Sequence, residues 1–566
     1  MNRLAKFFLP LLAGWSITLT AHAQTGAIIP IFSFSGGITN GAAPEGNLVL
    51  GPDGSFYGTT EGGGTTNNYG TIFKITTNGV LTTLVTFKGT NGVNPLAGLT
   101  LAPDGNFYGT TEYGGTNFGV STISAGLGGG SIFRLTTNGT LTTLATFAVT
   151  NGQSPHAGLT WGPGGLFYGT TAGGGPFGDG TIFSVTTSGT LTMLTNFNNA
   201  NGNAPVAGLT VGPDGNLYGT AGSGGANSVG TLFKVTPTGM LTTLYNFGAN
   251  NTNGSAPQTT LTLGPDGNLY GGTLNSGVTL YLISPPSNYI HIPSGSGTLF
   301  TVTTNGALTT LVNFDVSNGG YPIGNMTLGP DGVFYGTTES GDNGGGFQMG
   351  ILYSLTTNGI FTVLAEFNGS NGAFPLSGLT LGPDNNFYGG NTGGGAHGNG
   401  TIYKLGLSPI FISNPASQSV IIGNPATFSS RMFGTAPFAF QWLSNSVPMA
   451  GAAGGSLNLP RVFYQENNAQ FQVAVTNSYG SATSQVATLS VVLQPNCAGV
   501  VNLGGTNFNV VVGSYPSSAN HLWATTNLLS AWQPIAPITT DANGMGQYLD
   551  TDTTNSPAKF YRLSNP

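Results

Sequence analysis

One block of sequence, Gly46 to Thr60 (GNLVLGPDGSFYGTT), constrains this chain more than any other feature, because copies of it recur as far as residue 391. Its turn acid returns at Asp53, Asp104, Asp214, Asp266, Asp331 and Asp384, with Gly164 in that place in the third copy, at spacings of 51, 60, 50, 52, 65 and 53 residues. A second block, Gly70 to Gly79 (GTIFKITTNG), restarts at Gly130, Gly180, Gly230, Gly297, Gly350 and Gly400. A third, Leu81 to Phe87 (LTTLVTF), ends in an aromatic again at Phe147, Phe197, Phe247, Phe314 and Phe367, and Asn-Gly-x-x-Pro follows it, as in Asn91 to Pro95. Self-similarity at a period near fifty residues means that one supersecondary unit is stacked repeatedly on itself.

Each copy reads as four short strands separated by turn chemistry, since Pro-Asp-Gly and Asn-Gly supply the fixed or positive φ angles that tight hairpins need. Four strands per copy and seven copies predict an all-β fold, a seven-bladed β-propeller over residues 24–407. The last copy stops at Leu405 without a fourth strand, and the chain begins with such a segment, Ile28 to Phe34 (IIPIFSF). The expectation is velcro closure, in which that segment completes the last blade and removes an open edge.

These blocks resemble those of the GloVer tandem-repeat proteins, exported bacterial chains rich in glycine; the resemblance spans about residues 28–406 and implies no particular activity. The blade layout is also similar to NHL-type and kelch propellers, although the kelch tryptophan is absent. Residues 408–493 resemble a bacterial immunoglobulin-like domain, on Ala426 to Ser430, Phe440 to Trp442, Leu457 to Leu459 and Phe471 to Gly480. That resemblance implies a β-sandwich with Trp442 in its core, and with Ser430 and Val473 where such domains carry their disulfide cysteines. Residues 494–566, with Trp523 and Trp532, read as a small C-terminal β-rich module.

Residues 1–23 carry Arg3 and Lys6, an apolar stretch and Ala21-His22-Ala23, the pattern of a secretory signal peptide. A secreted or cell-surface location follows as an expectation. Cys497 is the one cysteine, so no internal disulfide can form. With 18 acidic and 11 basic residues, the chain lacks the positive footprint that nucleic-acid binding requires. Charged residues are only 5% of the total, yet no long apolar run follows the leader, so an integral membrane segment in the mature chain is not expected.

Motifs for metalloproteases, redox dithiols, serine hydrolases and P-loops are missing. No cofactor is expected; the one cation motif considered is a calcium loop at Asp550 to Asn555, which lacks the glycine and distal glutamate of such loops. Function should then lie where the copies differ. The Pro-Asp-Gly and Thr-Asn-Gly turns are uniform, whereas the loops at the other end of each copy vary, with insertions at Tyr113 to Gly129 and Gly272 to Ser296. The variable end is therefore the expected binding face.

Its candidate residues are Glu61, Glu112, His156, Asp179, Tyr281, Tyr289, His291, Glu339, Asp342 and His397. Glu61, Glu112 and Glu339 share one repeat position, which suggests acceptors for a cation, a sugar or a basic partner; solvated loop charge would produce the same pattern. Tyr281 and Tyr289 are candidates for ligand stacking, and paired aromatics such as Phe56 and Tyr57 belong to the core. Lys74, Arg134, Lys234 and Lys404 share a position expected to make contacts between repeats. The leading expectation is a binding and adhesion protein for an extracellular glycan, polymer or protein. An extracellular polysaccharide lyase or glycoside hydrolase is the alternative.

Overall fold

A computed structural model describes residues 26–116, 118–119, 128–248, 253–276, 279–282, 290–293, 296–315, 317–341, 349–492, 496–502, 508–513, 519–525, 531–541, 545–550 and 560–564. The expected leader, Tyr289, Asp342 and the calcium motif beyond Asp550 lie outside these residues.

Each repeat folds as its own four-stranded antiparallel sheet. The second unit is representative, with strands Thr100–Leu101, Phe107–Thr111, Ser131–Leu135 and Leu141–Thr146 in that order across the sheet. The expected seven-bladed β-propeller with velcro closure is corrected at this point. The repeats form separate four-stranded sheets, none of them closed on itself, and they stack as strand-hairpin units. The physical reason is local: a turn at nearly every strand end lets each repeat satisfy its ladder hydrogen bonds internally, so strands of successive sheets meet through side chains. In the seventh sheet the fourth position is taken by Gly26–Ser33, antiparallel to Thr401–Leu407, with Ile28 opposite Leu405 and Ser33 opposite Thr401.

The repeated FYGTT string is explained residue by residue. Its two aromatics face opposite sides of the sheet and are fully buried. Tyr57 stacks on Phe107 of the next unit at 4.2 Å between ring centroids, and Tyr108 on Phe167 at 4.3 Å. Phe56 meets Tyr388 of the seventh unit at 4.4 Å, so the first and last units also pack together. Glycine follows because the ring of the third-strand aromatic lies against it; a Cβ on Gly58 would sit 2.6 Å from the Phe73 ring. The first threonine reaches the next unit, as Thr59 Oγ1 donates to the Ala97 carbonyl at 2.9 Å. The second stays in its own sheet, where Thr60 and Thr71 hydroxyls lie 2.7 Å apart.

Turn acids anchor the same strand. The Tyr108 hydroxyl donates to Asp104 Oδ2 at 2.7 Å, and equivalent pairs join Tyr218 to Asp214, Tyr270 to Asp266, Tyr335 to Asp331 and Tyr388 to Asp384. Where Gly164 replaces the acid, the Tyr168 hydroxyl turns to the Pro163 carbonyl at 3.0 Å. In the first unit the strand cation joins this pair, where a contact between repeats was expected: Lys74 Nζ lies 2.5 Å from Asp53 Oδ2 of its own unit.

First strands are linked around the stack by threonine. Thr100, Thr160, Thr210, Thr262 and Thr327 each donate to a carbonyl of the following unit at 2.5 to 2.7 Å, and Thr380 of the seventh unit donates to Leu48 of the first at 2.5 Å.

The segment expected to be an immunoglobulin-like sandwich consists of a six-stranded sheet and two two-stranded ladders, Ile410–Ser413 with Arg431–Phe433 and Ala426–Ser429 with Ser456–Leu459. Its core surrounds Trp442, whose indole N–H donates to the Gly454 carbonyl at 2.9 Å. This segment is docked on the repeats. Phe433 packs edge-on against Phe387 at 5.7 Å, and Thr435 Oγ1 donates to Asn386 Oδ1 at 2.6 Å while accepting from the Leu407 N–H at 2.8 Å. The C-terminal segment forms two three-stranded sheets around Val510, Val512, Leu522, Ile538 and Leu563, with the Arg562 guanidinium 4.7 Å from the Trp532 ring. Among the described residues no helix is long and apolar enough to cross a membrane.

Candidate binding cavity

The Asn-Gly-x-x-Pro turn builds the site. Its fourth residue has positive φ in every unit, from 52° at Asn94 and Ala204 to 56° at Phe374. Two backbone hydrogen bonds hold it there. In the second unit the Asn94 N–H donates to the Tyr69 carbonyl of the first unit at 3.0 Å, and the Asn94 carbonyl accepts from the Glu112 N–H at 3.0 Å. The same double link joins the seventh unit to the first, from Ala43 N–H to the Asn399 carbonyl at 2.9 Å and from Glu61 N–H to the Ala43 carbonyl at 2.9 Å. A left-handed residue before proline is unfavourable on its own, so these paired bonds fix where the next segment points.

The residue after the proline differs from unit to unit: Glu45, Leu96, His156, Val206, Gln258, Ile323 and Leu376. All seven line one cavity of about 580 Å³, together with Glu61 and Glu112. Polar character is unevenly distributed. The titratable lining side chains Glu45, Glu61, Glu112 and His156 all come from units one to three, whereas the residue after the proline is aliphatic in units two, four, six and seven. No lysine or arginine is among the lining residues.

The three carboxylates are electrostatically different. His156 Nε2 lies 3.2 Å from Glu112 Oε1, bridging the second and third units. Burial works against the Glu112 charge, but hydrogen bonds from His156, Tyr113 and Asn94 outweigh it and hold Glu112 below the ordinary carboxylate range. Burial raises Glu61, and the nearby Glu112 charge raises it further. Glu45 is pushed up to about 7, first by burial and then by the Glu61 charge, with His156 opposing. One cavity therefore holds a firmly ionised carboxylate and another that takes up a proton near neutrality. Among the described residues no group of three or more histidine, cysteine or acidic side chains is arranged to hold a metal ion.

A family profile for the Gloeobacter/Verrucomicrobia repeat matches residues 18–123, 118–292 and 288–413, more than half of the chain. The chain belongs to the Gloeobacter/Verrucomicrobia repeat family. No curated protein matches this repeat protein. Among solved structures it is similar to a chimeric titin Z1Z2, with 22% identity over 15% of this chain and 94% of that one, at a TM-score of 0.14. It is also similar to the twitchin kinase region from C. elegans, with 23% identity over 15% of this chain and 16% of that one, at a TM-score of 0.14. A third is Rst D1-D2, with 14% identity over 27% of this chain and 97% of that one, at a TM-score of 0.15. TM-scores this low support no statement about fold or function.

Within this Gloeobacter/Verrucomicrobia repeat protein, Glu61, Glu112 and His156 come together as candidate residues. Glu339 does not join the lining; its carboxyl is raised by burial, and its N–H donates to the Tyr321 carbonyl at 3.0 Å. Asp179 accepts from the Ala204 N–H through its backbone carbonyl at 3.1 Å, and His397 is exposed on its loop. Tyr281 is paired with His291 in the backbone register of a two-stranded insertion, Thr279–Leu282 with Ile290–Pro293. Glu45 and Gln258 were not among the sequence-derived candidates. The signal was present, since both occupy the position after the repeat proline, the place where seven otherwise similar copies disagree.

Proposed function

We propose that this protein is a secreted or cell-surface binding protein, which holds an extracellular glycan, polymer or protein partner at the cavity and the variable loops around it. One observation supports this reading above the rest: seven equivalent backbone links present six different kinds of side chain to a single cavity. A purely structural role has no need for that divergence, and a pocket with an apolar side and a few convergent polar groups suits ligand recognition. The test is an array of glycans, polymers and extracellular-matrix proteins probed with the full chain and with Glu61→Gln/Glu112→Gln. Ligands retained by the wild type and lost by the variant support the reading, and Asp104→Asn on the opposite turns serves as the control that should change nothing.

A second reading, an extracellular glycoside hydrolase or polysaccharide lyase, is favoured by the divergence of Glu45 and Glu112. Carboxyls whose surroundings push their protonation apart are the arrangement acid–base catalysis uses. Polysaccharide turnover abolished by both Glu45→Gln and Glu112→Gln would select this reading over simple binding.

A further inference from the structure

The turn residue that is Ala, Asn or Ser in units one to five is aromatic in the last two, Tyr321 and Phe374. Both keep the left-handed backbone of that position, at φ 54° and 56°, a conformation that bulky side chains rarely adopt. Both are exposed, 38% and 43% respectively, whereas the paired aromatics of the sheets are fully buried. They occupy equivalent sites in consecutive units, each two residues before a cavity-lining side chain, Ile323 and Leu376. Polar groups lie against their backbones: the Tyr321 carbonyl accepts from the Glu339 N–H at 3.0 Å, and the Phe374 carbonyl accepts from the Thr392 hydroxyl at 3.0 Å.

We infer that Tyr321 and Phe374 form a stacking platform for the pyranose rings of an uncharged glycan, at the rim of the cavity. The inference rests on the cavity reading and names its ligand class. A pyranose presents an apolar C–H face and an equatorial belt of hydroxyls. Rigid aromatic side chains cover the first with little loss of conformational freedom. Glu339, Thr392 and the cavity acceptors Glu45 and Gln258 suit the second. An anionic glycan is disfavoured, because the same rim carries Glu339 and the cavity carries Glu61 and Glu112 with no lysine or arginine among its lining residues.

Titration calorimetry of the full chain with cellohexaose, xylohexaose, the hexamer of N-acetylglucosamine and hexagalacturonate tests this. The expected result is binding of at least one uncharged hexasaccharide, weakened tenfold or more in Tyr321→Ala/Phe374→Ala. Folding of that variant is not in question on backbone grounds, since Ala43, Ala204 and Ala256 hold the same position at φ 52° to 54°. Tyr321→Asn/Phe374→Asn, which places at both sites the residue type the second unit carries as Asn94, provides an independent second variant. If an uncharged hexasaccharide binds, the aromatic variants bind it equally well and Glu45→Leu/His156→Val loses it, the platform is overturned while the cavity reading stands. Binding of hexagalacturonate alone, or of none of the four, also overturns the platform, and the cavity reading is then decided by the polymers and proteins of the wider array.

Discussion

His156 of the third unit and Glu112 of the second lie 3.2 Å apart, Nε2 to Oε1, at the edge of a cavity that all seven repeats line. The pair shows how variation between copies is converted into a local site. Glu112 follows an FYGTT strand and His156 follows a repeat proline, and the stacking of units brings the two positions together. Replacing His156 with Ala removes the largest influence lowering the Glu112 carboxyl. The Glu112 titration, followed by carboxyl-carbon NMR, should therefore move upward in His156→Ala. Glu112 is buried and His156 only partly exposed, so losing the partner should also lower stability, by about 1 to 3 kcal/mol.

Glu45 predicts a pH dependence with a definite sign. Its carboxyl titrates near 7 in the folded chain against 4.5 ordinarily. Between those values the folded state holds a proton that the unfolded state has released, so its contribution to stability is greatest in acid and declines as pH rises toward 7. The melting temperature of the wild type relative to Glu45→Gln should accordingly fall from pH 5 to pH 7.5 and level off above that. A difference that rises with pH over this range would contradict the assignment.

Two buried hydroxyls are costly. Third strands carry Phe73, Phe133, Phe183, Phe233 and Phe300 in five units but Tyr353 and Tyr403 in the last two, and neither tyrosine hydroxyl has a hydrogen-bond partner. A buried unsatisfied polar group is destabilising. Tyr353→Phe and Tyr403→Phe should each raise stability by about 1 kcal/mol in chemical denaturation, restoring the residue found in the other repeats.

Thr435 ties the domain that follows the repeats to the last repeat, accepting from Leu407 N–H and donating to Asn386. Thr435→Val keeps the shape but leaves both partners unsatisfied. Limited proteolysis should cleave the link at Ser408 and Pro409 faster in this variant than in the wild type, with the strands Thr401–Leu407 and Ile410–Ser413 on either side still protected. Equal cleavage rates would mean that Phe433 packing alone holds the two together.

Much of the repeat was legible because its residues act locally. The four strands of each copy, the turn chemistry between them and the buried Phe56 and Tyr57 all follow from spacing within one copy. How copies assemble was less legible. Strand count and turn chemistry describe a single sheet, whereas the arrangement among sheets depends on contacts such as Tyr57 with Phe107, and the expected propeller gave way to separate stacked sheets. The same limit applies at the site. Glu45, Glu61, Glu112 and His156 were legible as polar loop residues, but Gln258, and the position Glu45 shares with it, acquire meaning only once the residue after each proline is seen to face one cavity. Tyr321 and Phe374 were hidden by their company, since the aromatics that recur in every copy, such as Phe56 and Tyr57, are core.

The central claim is that the seven residues after the repeat prolines select a ligand. Its most direct test is a binding titration of the strongest ligand from the array against Glu45→Leu/His156→Val/Gln258→Ile, which gives those three units the aliphatic side chains of the other four. Loss of binding by at least tenfold with unchanged circular dichroism is the predicted result, and full retention of affinity by the triple variant would contradict it.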